Sequence, residues 1–125
     1  MSRYLAILFM LALFSLISAH PASQINAEFV YADSSLKVEY FHAVHDPASH
    51  YISDVIINLN GKEIINHKLS LQESDEGGKL AYRIPDAKPG DIIEIKTSCN
   101  KLGTKKLKIT LPLRSIEDVT PTVTD

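Results

Sequence analysis

The chain has 125 residues, 45% of them hydrophobic and 22% charged, with a formal net charge of −2. That length suits one domain with one core once a leader is set aside. The mildly acidic balance speaks against a nucleic-acid binder, which needs Lys and Arg clustered on one face. Its single cysteine, Cys99, excludes an intramolecular disulfide.

Residues 1–19 read as a secretory signal peptide. Arg3 is followed by an uncharged apolar run from Leu5 to Ile17, and Ser18-Ala19 offers small residues before a cut. The run is too short to span a bilayer comfortably as a helix. Cleavage after Ala19 leaves His20 at the new N-terminus and no membrane attachment; the alternative is a retained membrane anchor, because Ile17 is not the small residue favoured three positions before a cut. The expected location is therefore secreted or periplasmic. Export normally favours paired cysteines, so a lone Cys99 is a free thiol, an intermolecular partner or a metal ligand.

From residue 20 to residue 111 the hydrophobicity alternates with period two, the signature of half-buried strands. A first strand is expected over Ile25–Tyr31, and Leu36, Val38 and Tyr40 share one face of the next. Val55, Ile57 and Leu59 alternate with Asp54 and Asn58, and Asn60-Gly61 then signals a tight hairpin. The return strand is expected over Lys62–Leu71, followed by a short strand holding Leu80, Tyr82 and Ile84. Asp86–Gly90 is a turn, after which Ile93, Ile95, Thr97 and Cys99 share one face. Leu107, Ile109 and Leu111 complete the set. Seven such strands predict an all-β, antiparallel immunoglobulin-like β-sandwich, with Val55, Ile56, Ile57, Leu59, Ile93 and Ile95 in its core. Residues 112–125 lose the periodicity, fill with Thr, Asp and Pro, and read as a disordered tail.

Chemistry in a sandwich gathers at the loops joining its strands. His42, His45 and His50 fall within nine residues, around the turn expected at Asp46-Pro47. Cys99 ends its own strand. Thiolate and imidazole together are a donor set that borderline transition metals select. Bland alternatives stand beside this reading. Free cysteine packs like a small hydrophobe, Asp46 suits a turn cap, and His67 shares a face with Ile65 and Leu69. Lys101, Lys105, Lys106 and Lys108 could draw an anion or simply solvate an edge strand. No paired carboxylates, glycine-rich phosphate loop or Ser/His/Asp set stands out.

The segment His42-x-Val44-x-Asp46-Pro47-x-x-His50-Tyr51-Ile52 resembles the ligand loop of superoxide reductases and the iron domain of desulfoferrodoxin. Cys99-Asn100-x-x-Gly103 resembles the Cys-Asn-x-His-Gly motif of that family. The resemblance runs over about residues 24 to 111. It implies a mononuclear iron site with imidazoles around the metal and an axial thiolate. Superoxide is then the substrate, and a separate electron donor is the partner. Carried over residue by residue, the ligands are His42, His50 and Cys99. Leu102 stands where the family has a further histidine. His45, which is extra, or His20 is left to fill the set. The alternative is a non-enzymatic immunoglobulin-like binding module, or a sulfur-carrier partner module, with a degenerate metal site.

Overall fold

The computed structural model describes residues 20–113. The leader expected over 1–19, and the tail from residue 114 onward, lie outside the described residues. Seven strands run in chain order: β1 (Gln24–Val30), β2 (Ser35–Phe41), β3 (Ile52–Leu59), β4 (Lys62–Lys68), β5 (Gly77–Arg83), β6 (Ile92–Cys99) and β7 (Thr104–Thr110). All pairings are antiparallel, and the described residues contain no helix. They form a three-stranded sheet of order β1-β2-β5 and a four-stranded sheet of order β4-β3-β6-β7.

Alternation dictates which side chains meet between the sheets, because successive residues of a strand point to opposite faces. Leu36, Val38 and Tyr40 of β2 are buried, as are Ile93, Ile95, Thr97 and Cys99 of β6. Ile52, Val55 and Ile57 of β3 close the core between them. Burying each such large apolar side chain contributes about 1.5–3 kcal/mol. The β3–β4 hairpin turns on Asn60 and Gly61, whose φ values of 50° and 84° suit the tight turn that the dipeptide predicts.

Two irregularities depart from simple alternation. In the β3–β6 ladder Ile52 pairs with Cys99 but Asp54 pairs with Ser98, so Ser53 is one residue too many. This bulge lets Ile52 face the core although it stands three positions, an odd number, from Val55. It also re-aims the start of β3. Beyond the bulge, Leu59 is half-buried and packs against the core as expected, whereas Ile56 lies on the outer face, half-buried and outside the core expected of it. The return strand ends at Lys68 rather than Leu71. Its last link to β3 is Leu69 N–H donating to Ser53 O at 2.8 Å, and Leu71 is 56% exposed in the loop beyond.

Candidate metal centre

The topology gathers chemistry-bearing residues at one end of the two sheets. Gln24 at the start of β1 pairs with Phe41 at the end of β2, and Ile52 at the start of β3 pairs with Cys99 at the end of β6. His20 precedes β1, His42 follows β2, His50 precedes β3, and Cys99 closes β6. His42 continues the inward alternation of Leu36, Val38 and Tyr40 by one step, and its side chain is 0% exposed. Cys99 does the same for Ile93, Ile95 and Thr97, at 9% exposure.

Local hydrogen bonds fix the loops that carry them. His42 N–H donates to Glu76 O at 2.8 Å and Val44 N–H to Asp75 O at 2.8 Å, which extends the β2–β5 pairing past the strand end. Asp46 caps its turn: its carboxylate accepts Ala48 N–H at 2.9 Å and its carbonyl accepts His50 N–H at 2.9 Å. Asn100 ties the cysteine to the His50 loop. Its Oδ1 accepts Tyr51 N–H at 2.9 Å, its Nδ2 donates to Ser49 O at 3.0 Å, and its N–H donates to Tyr51 O at 3.0 Å.

The result is a cluster of imidazoles. One ligand atom from each of His20, His42 and His50 lies within 4.8 Å of the others. Ring centroids are 4.8 Å apart for His42–His50, 4.9 Å for His20–His42 and 5.4 Å for His20–His50. The sulfur of Cys99 joins through His50, whose Nε2 is 3.2 Å away. The Lys101 N–H also donates to that sulfur, at 3.4 Å. Burial holds the His50 imidazole below its ordinary pKa, and His42, His20 and Lys101 push the same way. The unprotonated ring is favoured, which keeps a lone pair free. Three imidazoles and a thiol are chemically suited to a borderline transition-metal ion; His20, His42 and His50 are the residues whose ligand atoms converge to hold it, and Cys99 reaches the group through His50.

Of the residues singled out from sequence, the fold brings His42, His50 and Cys99 to one place. It does not bring His45, which is exposed in the loop ahead of Asp46 and stands outside the three-histidine group. Leu102 is 66% exposed and offers no donor. His67 packs elsewhere, with Nδ1 2.9 Å from the Tyr82 hydroxyl. His20 enters the group through the pairing of β1 with β2, which carries the segment ahead of β1 to the end of the fold where His42 lies. Its Pro21 neighbour packs on Gly103, where a Cβ would come within 2.8 Å of Pro21 Cδ. The sequence reading also gave no role to Gln72, a buried residue of the β4–β5 loop whose Oε1 lies 2.8 Å from His42 Nδ1.

No family model matches the chain, and no curated protein matches it. Among solved structures, the superoxide reductase (1Fe-SOR) from Giardia intestinalis is similar, with a TM-score of 0.55 and 13% identity, over 73% of this chain and 99% of that one. The chain has a superoxide-reductase-like fold. A superoxide reductase (Neelaredoxin) from Ignicoccus hospitalis aligns over 73% of this chain and 80% of that one, at 14% identity and a TM-score of 0.45. At such identities the likeness is one of fold, and the ligand assignment rests on this chain's own residues. Among the described residues, no helix is long and apolar enough to cross a membrane.

Proposed function

We propose that this chain is an exported protein with a mononuclear iron centre held by His20, His42, His50 and Cys99, that it reduces superoxide, and that a separate protein supplies the electron. The domain is residues 20–111, released by cleavage of the leader 1–19. One observation carries the reading: imidazoles from three separate segments present ligand atoms within 4.8 Å of one another, with a cysteine sulfur 3.2 Å from His50 Nε2. Isolated surface histidines have no reason to converge in this way. A bound iron ion would supply one electron and stabilise the negative charge that develops on an anionic product.

The chain's own residues supply the rest. Burial and its neighbours lower the His50 pKa, which favours the neutral ring that a metal ligand must be. Cys99 must lose its proton to ligate, and the Lys101 N–H donates to the same sulfur. The Lys101 charge, felt at His50, would draw a small anion toward the group. Asn100 holds the two ligand-bearing loops together.

A second reading is a non-enzymatic, immunoglobulin-like binding or sulfur-carrier partner module with a degenerate site. Its support is Leu102, exposed and without a donor atom at a position where the resembling motif has histidine. Anaerobic loading of the mature protein with ferrous iron decides between them. The iron reading expects one iron per chain and, after oxidation, a thiolate-to-ferric charge-transfer band that Cys99→Ser abolishes. A colourless, metal-free product favours the module.

A further inference from the structure

We propose that Gln72 is the positioning residue of this centre: it locks His42 in the Nδ1–H tautomer and so leaves Nε2, the ring nitrogen facing His20, without a proton. The inference rests on the metal reading for its purpose, though the tautomer itself can be measured without any metal.

Gln72 is 1% exposed, and all of its side-chain polar atoms are engaged. Its Nε2 donates to His42 O at 2.7 Å and to Ser74 O at 2.9 Å. Both partners are carbonyl oxygens, which only accept, so the amide orientation is fixed. Its Oε1 therefore faces Ile52 N–H at 3.3 Å and His42 Nδ1 at 2.8 Å. An amide oxygen cannot donate. The hydrogen in the short contact with His42 belongs to Nδ1, and the lone pair of a singly protonated ring is then on Nε2.

That Nε2 stands 3.0 Å from His20 O, another acceptor. With one ring proton, His42 can satisfy only one of these two oxygens. Gln72 is the better-anchored partner, held to the ends of β2 and β3 and to its own loop, with its backbone N–H donating to Pro47 O at 2.9 Å. His20 lies ahead of β1, outside any ladder, so its carbonyl can turn aside without breaking a strand pair. Take away the Gln72 oxygen and the preference reverses. The proton moves to Nε2, bonds His20 O, and closes off the ligand atom.

The experiment reads the histidine tautomers of the metal-free protein by long-range nitrogen–proton NMR at mildly alkaline pH, then titrates cobalt(II). The wild type is expected to show His42 as Nδ1–H. Gln72→Leu is expected to show Nε2–H and a cobalt affinity lower by about 10–100-fold, the usual cost of losing a ligand's orienting partner. Should Gln72→Leu not fold by circular dichroism, the wild-type spectrum still decides. An Nε2–H ring in the wild type, or an unchanged Nδ1–H ring in folded Gln72→Leu, overturns the proposal. An Nδ1–H wild type that binds no cobalt supports the lock and sinks the metal centre instead.

Discussion

His50 and Cys99 are 49 positions apart in the chain, yet the Nε2 of one ring lies 3.2 Å from the other's sulfur. The β3–β6 ladder makes this contact: Ile52 sits opposite Cys99, and the Ser53 bulge sets how β3 begins. Because backbone pairing, rather than this side-chain contact, brings the two positions together, the fold persists when either side chain is shortened. A scan of single alanine variants therefore separates ligands from bystanders without unfolding the domain. Ferrous-iron affinity should fall in His20→Ala and His50→Ala by at least the roughly 10–100-fold that even outer partners of a metal ligand command. His45→Ala, at an exposed site just ahead of the Asp46 turn, should bind as the wild type does. Equal losses in all three would refute the assignment.

Gly103 tests the same centre from its outer wall. Its φ of 96° disfavours any side chain, and an added Cβ would sit 2.8 Å from Pro21 Cδ and 2.9 Å from Pro21 N. Gly103→Ala must therefore push back the segment that carries His20. The backbone strain alone costs about 1–3 kcal/mol, and each kcal/mol lowers the melting temperature by roughly 4–8 °C in a domain of this size. Iron affinity should drop alongside stability, because the displaced residue is a ligand. A melting point that falls while affinity holds would place His20 outside the centre.

Much of the fold was legible because alternation is a direct imprint of the pleat. Leu36, Val38 and Tyr40, or Ile93, Ile95 and Thr97, declare their face in the sequence, and Asn60-Gly61 declares its turn. His42 and Cys99 were legible through local motif instead: His42 in a histidine-rich turn, and Cys99 ahead of the Asn100-x-x-Gly103 turn. His20 and Gln72 carry no such imprint. Their places follow from which strands pair and where loops return, and pairing partners leave no local trace in composition. Bulges hide in the same way, since Ser53 looks like any polar residue of a strand.

That hidden bulge yields a sharp contrast in stability. Simple alternation from Val55 would point Ile52 outward, but the extra residue turns it into the core, where it is 0% exposed. Ile56 lies on the outer face beside Asp54 and Asn58 and is only half-buried. Ile52→Ala should cost about 2–5 kcal/mol, the range for emptying a buried aliphatic site. Ile56→Ala should cost less than about 1 kcal/mol. Urea unfolding of the metal-free protein measures both, and comparable losses would contradict the register.

Asp91 contributes to the acid limb of stability, as Asp33 and Asp54 do, and it does so at the far end of β6 from Cys99. Its carboxylate accepts Asn60 Nδ2–H at 3.1 Å and Lys88 N–H at 2.9 Å. These bonds, the Asn60 one foremost, hold the carboxyl below its ordinary value in the folded state. The unfolded chain therefore takes up this proton first as pH falls. The stabilisation is fully present above the ordinary carboxylate value, about 3.9, and is lost as pH drops through the lower folded value. Asp91→Asn removes this linkage, so its unfolding midpoint should lie below the wild type's at neutral pH. The gap should narrow toward about pH 2, where the wild-type carboxyl is itself protonated. Urea midpoints across that range on metal-free protein, where the distant imidazoles contribute equally to both proteins, make the comparison. A gap that stays constant with pH would mean that the Asp91 charge does not carry the effect.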